Sequence, residues 1–401
     1  MTSEPGRARV FLHVGVPKSG TSFLQATLRS NADRLREGGV WYPTQQHRGL
    51  FHAALELTGN HPGWGVPQHR VDGSWAALCT KAKRRGGTSV FSNELFSNVE
   101  ADGVPGALAH LDGAEVHVIV TARDLARQLP AEWQEGVKHG RGLRFDEFLS
   151  RVLDPGRTHS HASKFWRHQD LAAILDRWGR HLPPERVHVV TCPPPGAPRD
   201  LLWKRFCSVI GVDGSSAVFP EVGANTSLGV TAVDVLARVN RRLRKGQAPP
   251  HLRRTVKQVL VNEALRSDGS QRVTTPAAIV PQLEEITAHW VRRIEAAGYD
   301  VEGDLDDLTP RLVDGGVAAD HRVSARASRD LAIDAVAMLT KEVAALRAEL
   351  RDLQAGPRRR AGESRTRALA RRVARRLRRR RSLGAVRRWR RPAGPDPTLD
   401  G

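Results

Sequence analysis

An apolar run over residues 10–14, a glycine-bracketed loop over residues 15–20 and an amphipathic stretch from Thr21 follow one another without interruption. This succession of strand, tight loop and helix start constrains the fold more than any other part of the chain. Val10, Phe11, Leu12 and Val14 suit a buried strand, and Phe23, Leu24 and Leu28 supply one packing face of the helix that follows. Gly15 and Gly20 permit the backbone angles by which a loop curls round a ligand, and Thr21 and Ser22 bring hydroxyls and amides to the helix start. Such a terminus favours negative charge, so the loop reads as a phosphate cradle.

The spacing of Gly15 and Gly20 matches the first part of the ATP/GTP loop, which then requires Lys followed by Ser or Thr. Here Thr21 follows Gly20, and the lysine has moved forward to Lys18, behind Pro17. At that apex an ammonium group is expected to meet a bridging or leaving oxygen of the bound group. The competing reading is an unrelated Gly/Ser turn.

Further strands and helices alternate behind this unit. Residues 74–85 form an amphipathic helix with Trp75, Leu78 and Cys79 inside, ended by Gly86 and Gly87. Residues 88–92 read as a second strand that delivers Asn93 and Glu94 at its exit, and residues 115–121, β-branched on both faces, read as a central strand delivering Arg123 and Asp124. A helix with Leu125, Leu129, Trp133 and Val137 follows, which Pro130 should kink or begin. Residues 144–182 look helical, residues 186–191 a fourth strand, and residues 201–210, 230–244, 251–267 and 281–297 further helices. The expected fold is α/β, a parallel β-sheet of the P-loop type flanked by helices. Its carboxyl edge is where a ligand would bind, which singles out Glu94 and Arg123.

Residues 45–71, with His47, His52, His61 and His69 among Gly and Pro, read as an irregular lid. Their spacing fits no metal-ligand block, so no metal is expected. The chain of 401 residues has three scattered cysteines and no apolar run near the length of a membrane span, which points to a cytoplasmic protein. Its formal charge of +20 is uneven, because residues 357–391 hold seventeen arginines against Glu363 alone. The preceding part is mildly basic, and global charge says little about its ligand.

Four pieces together resemble the sulfotransferase family, notably its bacterial members: Pro17-Lys-Ser-Gly-Thr-Ser22, Ser92-Asn-Glu94, Thr121-Ala-Arg-Asp124 with its helix, and Asn225-Thr-Ser-Leu-Gly229. The resemblance covers residues 9–310, and the loop is its specific part. It implies 3′-phosphoadenosine-5′-phosphosulfate (PAPS) as sulfuryl donor, with Pro17, Lys18, Ser19, Gly20, Thr21 and Ser22 round the 5′-phosphosulfate and Lys18 stabilising the leaving phosphate. Arg123 matches the arginine that holds the 3′-phosphate, and a guanidinium fork suits phosphate oxygens. The family's partner serine, eight residues on, is replaced by Ala131. Phe23 falls where an adenine-stacking aromatic is expected, or is a core residue. Glu94 matches the base position, with a first-turn helix carboxylate as its bland alternative and His47 or His52 as other bases.

Beyond residue 323 the character changes. Val336, Leu339, Val343, Leu346, Leu350 and Leu353 step by three and four, an a/d pattern over residues 323–355 that reads as a C-terminal coiled-coil helix and a homodimer seam, or as a helix docked on its own domain. The Arg-rich tail, residues 356–401, is disordered or a basic amphipathic helix, with an anionic membrane surface as its preferred functional partner and no specific nucleic acid. The expected whole is a sulfotransferase-like domain over residues 1–320, acting on a hydroxyl or amine of a carbohydrate, lipid or small metabolite and possessing a peripheral membrane attachment. A non-catalytic binding module and an ATP-dependent P-loop kinase are the alternatives.

Overall fold

The computed structural model describes residues 7–43, 47–220, 228–245, 260–261, 265, 270–312 and 323–354. Strand β1 (Arg9–Gly15) leads through the loop into α1 (Thr21–Ser30) and α2 (Ala32–Glu37), then β2 (Val40–Trp41), α3 (His47–Thr58) and α4 (Ser74–Arg85). Strand β3 (Thr88–Ser92), a 3-10 turn over Glu94–Asn98 and α5 (Gly103–Ala109) precede β4 (Glu115–Ala122). Helices α6 (Leu125–Lys138), α7 (Phe145–Val152), α8 (Ser160–Gln169) and α9 (Leu171–Gly179) lead to β5 (Val187–Thr191). Then come α10 (Leu201–Ile210), α11 (Val230–Lys245), α12 (Val280–Ala297), β6 (Asp300–Glu302) and α13 (Ala325–Gln354).

The six strands pair in the order β2-β3-β1-β4-β5-β6, every pair parallel. An α/β protein with a six-stranded parallel sheet flanked by helices is therefore what the chain forms. The inner strands are apolar on both faces because helices cover both. Val10, Val14, Val90, Val118, Ile119, Val120, Val189 and Val190 are fully buried. β1 sits between β3 and β4; its own connection runs towards β2, whereas that of β4 runs towards β5. Such a divergence opens a crevice at the carboxyl edge of the sheet, beside the loop after β1.

Two local departures from the sequence reading have physical causes. Residues 45–71 are not irregular throughout: α3 buries Leu50, Ala53, Ala54 and Leu55, a helical packing face that the flanking histidines and glycines obscured. Pro130 does not begin α6 but lies within it. Proline removes the donor that the Ala126 carbonyl would receive, and the Thr275 hydroxyl donates to that oxygen at 2.7 Å instead. No helix among the described residues is long and apolar enough to cross a membrane.

By contacts the chain forms two compact units, Met1–Ala335 and Val336–Gly401. The Arg-rich tail, Asn225, Thr226 and Ser227, and most of the helix expected over residues 251–267 lie outside the described residues.

Candidate functional site

The loop between β1 and α1 is held by its carbonyl groups. Ser19 Oγ donates to Val16 O at 2.5 Å, Arg123 donates to Lys18 O at 3.1 Å, and Cys192 Sγ donates to Ser19 O at 2.8 Å. Pro17 O receives two side-chain amides, from Gln128 on α6 and, at 3.1 Å, from Gln169 at the end of α8; Gln128 also donates to Gln169 Oε1 at 2.6 Å. Leu24 N donates to Gly20 O at 3.0 Å. Every carbonyl from Val16 to Gly20 thus has a donor in the protein.

The amides behave oppositely. Those of Lys18, Gly20, Thr21, Ser22 and Phe23 meet no acceptor among the described residues, and Gly20, as N-cap, has no side chain to offer one. Lys18 has φ 69° and Gly20 φ 86°, and the Ser19 amide between these two left-handed residues donates to Val16 O at 3.3 Å. A helix start with its donors unmet is an anion site. The left-handed angle favours glycine at position 20, and a Cβ there would also require the Leu202 side chain to shift.

A one-way hydrogen-bond chain fixes this loop to the sheet. Ser19 uses its proton on Val16 O, so Thr121 Oγ1 donates to Ser19 Oγ at 2.5 Å. Thr121 then accepts from His13 Nε2 at 3.1 Å, and His13 Nδ1 accepts from Ser92 Oγ at 2.7 Å. The imidazole is fully buried, and burial lowers its pKa from 6.5 to about 3, so it is neutral and carries its proton on Nε2. Ser19 is thereby a buried brace of the loop, with its hydroxyl turned away from the open side.

The expected site residues gather at the carboxyl edge. Arg123 leaves β4 and reaches the loop; no carboxylate of the described residues pairs with it, and burial, with the Arg127 cation next, lowers its pKa. Arg127 is paired with Asp124 and donates to Pro193 O at 3.0 Å. Cys192, beside both guanidiniums, is pushed by burial to about 12 and stays a thiol. Lys18 Nζ lies 2.9 Å from Glu135 Oε2 on α6, and Glu135 Oε1 lies 3.2 Å from His139 Nδ1.

Glu94 stands at the exit of β3, where Asn93 N bonds His13 O at 3.1 Å and Gly15 admits the Glu94 backbone; a Cβ at Gly15 would come to 3.2 Å. Its Oε2 accepts from Gln25 Nε2 of α1 at 2.7 Å. Tyr42, at the exit of β2, lies close enough to feel the charges of Arg29 and Glu94, and burial raises its phenol to about 12. Phe23 is half-buried and stacks on Phe219 at 5.8 Å with planes 13° apart. Phe219 is 40% exposed, and its segment is held to α1 by two 2.8 Å bonds between Asn31 and the Val218 backbone. Ala131 is half-buried on α6 and presents a methyl group where a hydroxyl was expected.

Glu135, Gln128 and Gln169, which join the loop, and Phe219, which stacks on Phe23 of α1, were not visible as site residues in the sequence, since each comes from a distant element and none belongs to a motif. His52 is half-buried on α3, whereas the side chain of His47 lies outside the described residues. No family model matches this chain, and no curated protein or solved structure matches it either.

Proposed function

We propose that the chain is a sulfotransferase with a P-loop-type sheet, moving a sulfuryl group from PAPS to a hydroxyl or amine of a carbohydrate, lipid or small metabolite. The observation that carries the reading is the loop of residues 16–20, whose carbonyls are all bound by the protein while the amides of Lys18 and Gly20, with those of Thr21, Ser22 and Phe23 at the helix start, meet no acceptor among the described residues. Arg123 adds a guanidinium without a carboxylate partner among the described residues, which suits a second phosphate. The parallel rings of Phe23 and Phe219 offer an aromatic surface for a purine. The placement of Lys18 before Gly20, rather than after it, favours the sulfuryl donor over ATP.

In this reading Glu94 takes the proton from the acceptor as the acceptor oxygen or nitrogen bonds to sulfur and the bond from sulfur to the phosphate oxygen breaks. Gln25 orients the Glu94 carboxylate. Lys18 and the loop amides meet the negative charge that grows on the departing phosphate. Lys18 must leave Glu135 to do so.

Ala131 favours a second reading, a sulfotransferase-like module that binds without turnover, because one hydroxyl expected at the 3′-phosphate is missing. Calorimetric titration with 3′-phosphoadenosine-5′-phosphate, against ATP with magnesium, tests the donor class. Binding of the bisphosphate alone is expected, and ATP with magnesium binding in its place would overturn it. Donor binding without turnover over a panel of acceptors would select the second reading.

A further inference from the structure

The seam of α13 carries the next inference. Val336, Val343, Leu346 and Leu350 are 62%, 45%, 54% and 53% exposed, a concentration of large apolar side chains unusual for a helix in water. They fall on one stripe: with Val336, Val343 and Leu350 at heptad position a, Leu339, Leu346 and Leu353 take position d. A stripe that repeats every 3.5 residues matches a second helix carrying the same repeat.

The residues chosen within the stripe, and those beside it, specify the partner. Two of the three a positions are β-branched valine and all three d positions are leucine, the combination that packs best in a parallel two-stranded coil. Beside the seam, Glu342 and Glu349 occupy g, while Thr340 and Arg347 occupy e. In a parallel pair, position g of one helix faces position e of the next heptad on the other. Glu342 of each copy then meets Arg347 of the other copy, twice by symmetry. In an antiparallel pair g faces g, which sets Glu342 against Glu349. Charge therefore separates the two orientations as well as permitting association.

We infer that two copies of this chain associate through α13 as a parallel, in-register two-stranded coiled coil, with Val336, Leu339, Val343, Leu346 and Leu350 in its seam. The inference stands apart from the proposed chemistry. With two and a half heptads the coil is short, so its dimer dissociates measurably on dilution.

Light scattering of the full chain over a dilution series should give twice the 44.2 kDa chain mass at high concentration, falling to that mass on dilution. Leu346→Glu should give a monomer at every concentration with an unchanged thermal transition for the remainder of the chain. Glu342→Arg should weaken the dimer about tenfold, and adding Arg347→Glu should restore it. Leu339→Cys should oxidise to a covalent dimer, since parallel in-register helices set the two sulfurs together whereas antiparallel ones part them by about 20 Å. A wild-type monomer throughout, a dimer indifferent to Leu346→Glu, or a dimer that Leu339→Cys does not cross-link would overturn the inference.

Discussion

Lys18 and Glu135 form an ion pair of 2.9 Å that ties the apex of the β1–α1 loop to α6. Both side chains are about a quarter exposed, so the pair contributes little to stability, of the order of 0–1 kcal/mol. Its consequence is electrostatic: a carboxylate occupies the ammonium that the proposed donor's phosphate would need. Lys18→Ala should therefore leave the thermal transition nearly unchanged and lower transfer about 10²–10³-fold, the usual loss for one donor to a developing charge. Glu135→Gln should tighten bisphosphate binding several-fold in calorimetry. Wild-type transfer by Lys18→Ala would remove the lysine from the chemistry.

Glu94 is placed by Gly15 behind it and by Gln25 above it, and neither contact touches the loop amides. Glu94→Gln should accordingly lower kcat far more than it changes the Kd of the bisphosphate. Gln25→Leu, which removes the orienting amide but keeps the carboxylate, should lower kcat less. Equal losses of Kd and kcat in Glu94→Gln would instead mark Glu94 as a structural residue of the loop.

His13 makes stability depend on pH. Burial lowers its pKa to about 3, below the 6.5 of the unfolded chain, so the unfolded state binds the proton first as pH falls. The contribution is full above pH 6.5, is lost progressively between 6.5 and 3, and amounts to roughly 5 kcal/mol if the whole shift is realised. His13→Gln should lower stability at pH 7 and shrink the difference between pH 7 and pH 4 in urea titrations. An undiminished difference would show that other groups carry the acid sensitivity.

The inner strands were legible because they are short runs rich in β-branched and apolar residues with turn residues at both ends, as in residues 88–92 and 115–121. The outer strands were less so: β2, of two residues, reads only as a short extended piece between Gly39 and Pro43, and β6, of three, is too short for any period to show; each pairs with the edge that a neighbouring strand offers. The loop could be read because its residues are contiguous. Its supports could not, since Gln128, Gln169 and Cys192 reach its carbonyls from three separate elements. Phe219 was hidden for a related reason: its place over Phe23 depends on Asn31 binding the Val218 backbone, a contact with no local signature.

Gly20 combines a left-handed backbone with a contact against Leu202, whose side chain must shift to admit a methyl group. Gly20→Ala should cost about 2–3 kcal/mol, the left-handed strain and the overpacking each contributing. Compared with Leu202→Ala alone, the double variant should show the Gly20→Ala cost reduced by the overpacking part only. Equilibrium unfolding of the two single variants and the double variant checks the division, and a Gly20→Ala cost that vanishes in the Leu202→Ala background would show that the backbone angle is not limiting.

Pro130 and Thr275 test whether α6 depends on a borrowed donor. The Ala126 carbonyl is buried with its residue, lacks an amide from Pro130 and receives the Thr275 hydroxyl at 2.7 Å. Thr275→Val keeps the shape and removes that donor, leaving a buried acceptor unmet at a cost of about 1–3 kcal/mol. Pro130→Ala returns a backbone N–H to the same carbonyl. In that background Thr275→Val should cost much less, so the double-mutant cycle should give a coupling of about 1 kcal/mol or more. Because Gln128, which holds the Pro17 carbonyl, lies between Ala126 and Pro130 on the same turn of α6, Thr275→Val should also weaken bisphosphate binding. Pro130→Ala should restore that binding together with the stability, whereas recovery of stability alone would show that the turn and the loop are energetically separate.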